Sequence, residues 1–428
     1  MKIYLHTFGC RVNQYETEQL RERLTADGST TTGDFETADL CVVNTCTVTK
    51  AADQDALRLI RRISRRNPAA RLVVTGCLAS RAPEEILAAA PQAIVKGNDG
   101  KLDLPEALGC SPAPASAGIR SFADKSRAWV KVQDGCNMTC TYCIIPSVRP
   151  TLSSRPLADV VSEVRGLVEG GYREVVLCGI RLGRYLVEHE DRRVDFNALL
   201  ERLLALPGDF RIRLSSFEIT DVTDRFLGVA EEADEKLCPS FHLPLQSGSD
   251  AVLKKMERWY SAAFFERRVL ALKERFPRAG LFTDVMVGFP GETEEDFERT
   301  LSLLERQNFC GLHVFPFSAR KGTPAARWEP VAPIVVERRM SRIRELDGRL
   351  RREFAARALG ERRRVLLESA SEGTAEDFLR VRLDREPGPG FAWATIDRVE
   401  GPTAFGTIGP IDSSGRRTLA DPAPFSYT

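Results

Sequence analysis

The chain has 428 residues, in which 61 Lys and Arg oppose 60 Asp and Glu, and 43% of the residues are hydrophobic. This length suggests two to four domains, and the apolar fraction is sufficient for packed cores, so a wholly disordered chain is excluded. The net charge of +1 excludes a uniformly basic surface but leaves local basic patches open.

The first residues contain no long apolar core, and no stretch of about 18 apolar residues follows them, so we expect a cytoplasmic protein without a membrane segment. In that reducing compartment disulfides are rare. The eleven cysteines therefore indicate metal ligands or reactive groups rather than crosslinks.

Residues 1–118 predict an N-terminal doubly wound domain with a parallel sheet. Strand-like and helix-like stretches alternate there with short loops, which favours parallel strands covered by helices. The expected strands are Lys2–Thr7, Leu40–Val43 and Arg71–Thr75, and the expected helices are Gln14–Ala26 and Ala51–Arg66. The small, proline-rich stretch Ser111–Gly118 is typical of a linker.

Residues 122–355 predict a second domain of six β/α units. The expected strands are Ala128–Gln133, Glu174–Cys178, Arg211–Ser215, Ser240–Leu245, Leu281–Val287 and Leu312–Phe315. The expected helices are Leu157–Glu169, Asn197–Leu206, Asp224–Ala233, Ala262–Phe276 and Glu294–Gln307, the last with a capping box of Thr293 and Asp296. Six units suit a partial barrel of the TIM type or a doubly wound sheet, and both place the reactive site at the C-terminal ends of the strands.

Residues 360–428 predict a small β-barrel and a loosely held tail. Short strands alternate with Gly and Pro turns, as in small closed sheets. The expected strands are Arg364–Glu368, Phe378–Leu383, Ala392–Val399 and Ala404–Ile408. The tail Ile411–Thr428 is polar and contains proline.

Three closely spaced cysteines, Cys136, Cys140 and Cys143, follow the first strand of the second domain. A structural zinc site needs four ligands, usually in two pairs, and the chain has no second Cys-x-x-Cys or His pair. Three thiolates leave one coordination position open, as in an iron–sulfur cube with one free iron. A distorted zinc site or buried structural cysteines are the alternatives.

A second, dispersed set consists of Cys10, Cys46 and Cys77. Each lies just after the C-terminal end of a predicted parallel strand, so the three should meet at one edge of the sheet and hold a second cluster. Any one of them alone would be an ordinary buried cysteine. The remaining cysteines match no ligand position, and Cys41 and Cys178, inside apolar strands, are expected in the core.

The C-x3-C-x2-C spacing at the first strand of a β/α domain resembles the radical S-adenosylmethionine superfamily. From residue 1 to about 410 the chain resembles the methylthiotransferases of that superfamily. The phrases that carry the resemblance are Thr-Phe-Gly-Cys-Arg-Val-Asn-Gln-Tyr-Glu-Thr-Glu (7–18), Val-Gln-Asp-Gly-Cys (132–136), Cys-Ile-Ile-Pro (143–146), Pro-Leu-Gln-Ser-Gly-Ser-Asp (244–250), Val-Gly-Phe-Pro-Gly-Glu-Thr (287–293) and Phe-Ser-Ala-Arg-Lys-Gly-Thr-Pro-Ala-Ala (317–326).

This resemblance implies a partial TIM-like (β/α)6 radical barrel between the N-terminal domain and a C-terminal TRAM-like barrel. It also implies two [4Fe-4S] clusters, an auxiliary one on Cys10, Cys46 and Cys77 and a radical one on the other triad. In the family, sulfur at the auxiliary cluster is methylated by one S-adenosylmethionine, and a second yields the 5′-deoxyadenosyl radical that activates the target carbon. An electron donor of the flavodoxin or ferredoxin type and a sulfur source are then required.

The resemblance also places other groups near S-adenosylmethionine. Gly288 and Gly291 would let the backbone lie against this ligand, although the same Gly-x-x-Gly also suits an ordinary strand-to-helix turn. Gln246 would bond the ribose, Tyr142 would pack near the adenine, and the backbone of Gly179 would approach the methionine amino group. Of the four histidines, the three in or beside predicted strands are expected to be satisfied interior groups rather than ligands.

Basic clusters suggest a nucleic-acid substrate. Five arginines of one predicted helix, Arg58, Arg61, Arg62, Arg65 and Arg66, have no acid among them, and residues 337–364 hold eleven Arg against five acids. Such clusters attract phosphates, but they also occur on solvated, salt-bridged helix faces. The TRAM-like barrel favours RNA.

Within the family, residues 9–18 most resemble the MtaB-type branch, which implies methylthiolation of carbon 2 of N6-threonylcarbamoyladenosine at position 37 of tRNA, beside the anticodon. Isopentenyladenosine or a ribosomal-protein aspartate are the alternative targets, and a non-catalytic iron–sulfur RNA-binding protein is the alternative of another class. Residues 147–156 depart from the family phrase, and this loop could touch substrate. A monomer is expected, although the sequence leaves the oligomeric state open.

Overall fold

The computed structural model describes residues 1–26, 28–110, 118–123 and 125–409. Most of the linker Ser111–Gly118 and the tail Ile411–Thr428 lie outside these residues. Helices and strands of the described part fall into an N-terminal unit, a central unit and a C-terminal barrel. The exact domain limits drawn from the sequence stay a prediction.

The N-terminal unit is a parallel five-stranded sheet with the order β2-β1-β3-β4-β5. Its strands are β1 (Lys2–Thr7), β2 (Thr30–Thr32), β3 (Leu40–Thr45), β4 (Arg71–Gly76) and β5 (Ile94–Lys96), and its helices are α1 (Arg11–Thr25), α2 (Lys50–Arg66), α3 (Cys77–Arg81), α4 (Pro83–Ala89) and α5 (Leu104–Ala107). The strand order changes direction between β1 and β3, because β2 is added on one side of β1 and the later strands on the other. Open α/β sheets bind ligands at such a switch point. The predicted strands and helices are confirmed, and α1 begins three residues earlier than expected.

The central unit is an incomplete barrel. Its strands are β6 (Arg127–Asp134), β7 (Ser153–Ser154), β8 (Glu174–Gly179), β9 (Leu186–His189), β10 (Arg192–Asp195), β11 (Arg211–Leu214), β12 (Ser240–His242), β13 (Gly280–Val287) and β14 (Gly311–Pro316). Its helices are α6 (Ile145–Val148), α7 (Leu157–Glu169), α8 (Phe196–Leu204), α9 (Asp224–Glu232), α10 (Asp250–Lys255), α11 (Ala262–Arg275), α12 (Glu294–Gln307) and α13 (Pro333–Arg357).

The six expected parallel strands β6, β8, β11, β12, β13 and β14 run through two sheets, β11-β8-β6-β7 and β12-β13-β14. A parallel bridge between Ser216 and His242 continues the wall from one sheet to the other. The barrel alternative is therefore the observed one. The fourth strand ends at His242 rather than Leu245, because the chain past it pairs only through the isolated bridge of Gln246 to Val285.

The C-terminal barrel is closed in the order β15-β16-β17-β19-β18. Its strands are β15 (Arg362–Leu367), β16 (Glu372–Thr374), β17 (Arg380–Leu383), β18 (Phe391–Glu400) and β19 (Thr403–Ile408). The expected strand from Phe378 begins instead at Arg380, because Phe378 has a left-handed backbone (φ 75°) that breaks the extended run.

Buried side chains join the three units. Tyr15 of α1 packs into the apolar core of the central barrel, and its hydroxyl donates to Glu163 over 2.9 Å. On the other side, Arg211 of β11 donates to the backbone carbonyls of Arg364 and Thr374 in the C-terminal barrel. Helix α1 therefore belongs to two units at once, which positions the site described next.

Candidate active site

The loop after β6 carries the first cysteine triad. Gly135 has φ 78°, and a Cβ there would lie 1.9 Å from the carbonyl oxygen of Thr151, so only glycine fits this turn. The backbone N–H of Cys136 donates to the carbonyl of Arg149, and that of Met138 donates to the Cys136 sulfur over 3.4 Å. The turn thus brings Cys136, Cys140 and Cys143 onto one short loop at the C-terminal end of the strand.

Of the thiols of this loop, Cys140 is buried and Cys136 and Cys143 are half-buried. Burial raises the pKa of the Cys143 thiol to about 12 and also raises that of Cys140. The Arg258 guanidinium, 3.5 Å from the Cys140 sulfur, opposes this effect at Cys140 because a cation favours the thiolate. Three soft donors with a neighbouring cation suit an anionic, thiolate-bound iron–sulfur cluster.

The second triad lies at the C-terminal edge of the N-terminal sheet. Cys10 precedes α1, Cys46 follows β3, and Cys77 is the first residue of α3, directly after β4. A Cβ on Gly9 would lie 2.7 Å from the Cβ of Cys46, so the turn that carries Cys10 packs directly against Cys46. Burial raises the pKa of the Cys46 thiol to about 11, and charge on Cys77 and Cys10 adds to this rise. The three thiols therefore lie close enough to affect one another.

No group of three or more His, Cys, Asp or Glu in the described ranges could hold a metal ion. Neither triad is thus arranged as the ligand set of a single ion. A four-iron cube takes one thiolate on each of three irons, and the three cysteines of each triad match that donor set.

One cavity of about 480 Å³, which we call the cluster cavity, is lined by cysteines from both triads, although Cys46 and Cys77 are not among its lining residues. Its lining includes Cys10 of the second triad together with Cys136, Cys140 and Cys143 of the first. Tyr142, Gly179 and Gln246, which the resemblance places near S-adenosylmethionine, also line it. Gln246 has a left-handed backbone (φ 67°), and its buried Oε1 has no hydrogen-bond partner among the residues that the structure describes, so this amide oxygen can accept from a ligand.

Gly288 and Gly291 are not among the residues that line the cluster cavity, so the structure does not bring them to the cysteines. The Gly288 N–H donates to the carboxylate of Glu292, which pairs with the buried Arg339 over 2.8 Å. Gly291 lies beside the Lys255 ammonium instead. These contacts favour an ordinary strand-to-helix turn at Gly288–Gly291.

Several residues of the cavity wall were not expected from the sequence. Arg11, Arg181, Arg258, Asp284 and Cys178 all line it, the last of these expected only in the core. Asp284 accepts hydrogen bonds from His242 (2.8 Å) and His313 (3.0 Å), so both histidines are paired, but the His313 side chain is 73% exposed rather than interior. Burial would raise the pKa of Asp284, but these hydrogen bonds outweigh it and hold the pKa well below its usual value. The three arginines of the wall could not be predicted from the sequence, because isolated arginines in an arginine-rich chain form no recognisable spacing.

The five arginines of α2 are exposed. Arg58 pairs with Asp55, Arg66 pairs with Glu36, and Arg62 lies over the ring of Phe35. Arg61 and Arg65 have no acidic partner among the described residues. By contrast, most arginines of the 337–364 run are salt-bridged, for example Arg342 to Glu298 and Arg349 to Glu305. For that run, the salt-bridged helix face is the better interpretation.

Arginines also cover three partly buried aromatic rings of the C-terminal barrel. Arg364 lies 3.8 Å from the ring centre of Phe391, and Arg398 lies 3.8 Å from that of Phe405. Arg362 lies 4.9 Å from the ring of Trp393. Phe391 lies between the buried Arg211 and Arg364, whereas Trp393 and Phe405 are partly exposed rings of the kind on which RNA bases stack.

Two family models match the chain, an uncharacterised protein family (UPF0004) over residues 2–97 and the radical SAM superfamily over residues 130–304. No helix in the described residues meets the length and apolar character needed to cross a membrane. A solved structure of the radical S-adenosylmethionine methyltransferase TsrM from Kitasatospora setae superposes with a TM-score of 0.56 at 15% identity, over 76% of this chain and 77% of that one, and shows the fold.

Curated relatives are much more similar in sequence. A threonylcarbamoyladenosine tRNA methylthiotransferase MtaB from Bacillus subtilis is 39% identical over 89% of this chain and 87% of its own length. A tRNA-2-methylthio-N(6)-dimethylallyladenosine synthase from Corynebacterium efficiens is 34% identical over 85% of this chain and 74% of its own length. The chain therefore belongs to the radical S-adenosylmethionine tRNA methylthiotransferases.

Proposed function

We propose that this chain transfers a methylthio group to carbon 2 of N6-threonylcarbamoyladenosine at position 37 of tRNA. The observation that carries the proposal is the cluster cavity, in which Cys10 shares one wall with Cys136, Cys140 and Cys143. A sulfur carried at one triad can then meet a carbon activated at the other without leaving the protein. The similarity to threonylcarbamoyladenosine-modifying relatives supports this substrate.

In this proposal Cys136, Cys140 and Cys143 hold the radical [4Fe-4S] cluster, and Cys10, Cys46 and Cys77 hold the auxiliary one. Bound there, the clusters supply the electron that cleaves S-adenosylmethionine and the site at which sulfur is methylated. Gln246 offers its free amide oxygen to this ligand, Tyr142 closes the cavity wall, and Gly179 leaves room for the ligand because it has no side chain.

Apart from the target nucleoside, the tRNA contacts the protein outside this cavity. Arg61 and Arg65 on α2 present exposed cations without acidic partners among the described residues, and each such contact releases a counterion from the RNA backbone. The arginine-covered rings of the C-terminal barrel offer a second contact of the TRAM type. Turnover also needs a flavodoxin- or ferredoxin-like electron donor and a sulfur source.

The second candidate substrate is isopentenyladenosine, which the similarity to dimethylallyladenosine synthases favours. The two candidates differ in charge, because threonylcarbamoyladenosine ends in a carboxylate and isopentenyladenosine ends in an apolar group. The choice between them therefore depends on the polarity of the cavity that receives the N6 group.

The test is an anaerobic assay of the reconstituted protein with dithionite, sulfide and S-adenosylmethionine. Anticodon stem-loops that carry either modified adenosine are the substrates, and the nucleosides are identified by mass spectrometry. We expect the 2-methylthio product from the threonylcarbamoyl RNA and little from the isopentenyl RNA. The reverse preference would reject the proposed substrate, and 5′-deoxyadenosine without either product would reject methylthiolation of these tRNA bases.

A further inference from the structure

A second cavity, of about 420 Å³, lies between the central barrel and the C-terminal barrel, and we call it the barrel cavity. Its lining comes from β11, β12, β13 and β14 and from the segments before β17 and β19. Arg11 lines both this cavity and the cluster cavity. Arg11 therefore lies between the two cavities and faces both.

The charged side chains that line the barrel cavity are all arginines. Four arginines and two histidines line it, and no Asp or Glu of the described residues does so; the six are Arg11, Arg213, Arg351, Arg380, His242 and His313. Such a lining favours an anionic ligand, since a cavity of low dielectric strengthens each charge interaction.

Most of these charges already have partners. Arg213 pairs with Glu174 (2.8 Å), Arg351 with Asp347 (2.8 Å) and Arg380 with Glu368 (3.0 Å), while both histidines bond to Asp284. Arg11 is the exception, because no hydrogen bond or ion pair reaches its guanidinium within the described part of the chain. A partly buried, unpaired guanidinium is costly unless a ligand supplies the missing anion.

We propose that Arg11 is the specificity-determining residue that binds the carboxylate of the threonylcarbamoyl group, with the barrel cavity receiving that group. The inference rests on the proposed function. The planar guanidinium matches a carboxylate in two parallel hydrogen bonds. His313, whose side chain is exposed at the same cavity, stands beside the incoming group.

The proposed contact would also discriminate against isopentenyladenosine. An apolar N6 group would leave the Arg11 guanidinium without a partner and would strip its water, so binding would be penalised rather than merely weaker. A site that binds a charged substrate group strongly rejects an analogue without that group. An apolar pocket rejects an analogue with an added polar group much less strongly.

The experiment compares three stem-loop RNAs that carry threonylcarbamoyladenosine, its threoninol analogue with a hydroxymethyl in place of the carboxylate, or isopentenyladenosine. The wild-type protein and the variants Arg11→Gln and Arg11→Lys are loaded with iron and assayed for kcat/KM and for RNA affinity. Arg299→Gln is the control, because Arg299 lies on the exposed face of α12 and pairs only with Glu295.

We expect Arg11→Gln to lower kcat/KM for the threonylcarbamoyl RNA by about 10- to 100-fold and to change that for the threoninol RNA by less than about threefold. Arg11→Lys should retain part of the preference, and Arg299→Gln should match wild type. Equal losses of kcat/KM on the threonylcarbamoyl and threoninol RNAs would overturn the inference, because they would assign Arg11 a structural role. Wild-type protein that binds the threonylcarbamoyl and threoninol RNAs equally would also overturn it, whatever the variants do. Wild-type activity on the isopentenyl RNA alone would instead reject the proposed function itself.

Discussion

Arg149 shows how one residue links two units of the molecule. Its side chain is only 4% exposed, and it bonds to Glu16 of α1 (2.8 Å), to Asp134 of β6 (2.7 Å) and to Asn13. Burial alone would raise the pKa of Glu16, but Lys101, Lys131 and Arg149 hold it well below its usual value. Arg149 belongs to residues 147–156, the loop whose sequence departs from that of the family. Its side chain therefore points inward, to the junction between the N-terminal and central units.

Replacing this arginine tests the junction. We expect Arg149→Met to lower the free energy of unfolding by about 3–5 kcal/mol, because Glu16 and Asp134 lose a buried cation. Urea denaturation of the iron-free protein, followed by circular dichroism, measures the change. Arg299→Met, on an exposed pair, should cost less than about 1 kcal/mol. Equal effects of the two substitutions would contradict the structural role of Arg149.

At this scale, the sequence predicted the residues with a local pattern and missed those without one. The loop cysteines follow from their spacing, and Cys10, Cys46 and Cys77 follow from their common position after parallel strands. The contacts of Arg149 with Glu16 and Asn13 span more than a hundred residues of chain, which no local pattern encodes.

At the scale of elements, long periodic segments were predictable and short ones were not. The capping box of α12 is confirmed, with Thr293 Oγ1 accepting from the Asp296 N–H (3.1 Å) and the Asp296 carboxylate accepting from the Thr293 N–H (3.0 Å). The three-residue strands β2, β5 and β16 were missed, because a run of three residues is too short to show a period of two.

The capping box should contribute measurably to stability. We expect Thr293→Ala to lower the free energy of unfolding by about 1 kcal/mol, since a donor in the first turn of α12 loses its acceptor. Thr293→Ser keeps the hydroxyl and should recover most of the loss. Both variants are compared with wild type in the same urea series. A Ser variant as unstable as the Ala variant would assign the effect to packing of the methyl group instead.

At the scale of the whole molecule, the order of the units and their fold class followed from the alternation of elements, but the two cavities did not. The sequence left a barrel and a doubly wound sheet both open for the central unit, because each produces the same β/α alternation. The cluster cavity forms only where α1 docks on β6, and the barrel cavity forms only where the C-terminal barrel meets the core. Such junctions depend on tertiary packing.

The central claim is that two separate cysteine triads hold two clusters that serve different steps. Iron content and S-adenosylmethionine cleavage, measured together on anaerobically reconstituted protein, test it most directly.

We expect about eight irons per wild-type chain and about four in each triple-Ala variant, since each cluster holds four. The Cys10, Cys46 and Cys77 variant should still form 5′-deoxyadenosine without methylthio product, and the Cys136, Cys140 and Cys143 variant should form neither. The control Cys41→Ala, in the apolar face of β3, should resemble wild type. About four irons in the wild type, or an unchanged iron content when Cys10, Cys46 and Cys77 are replaced, would contradict the account.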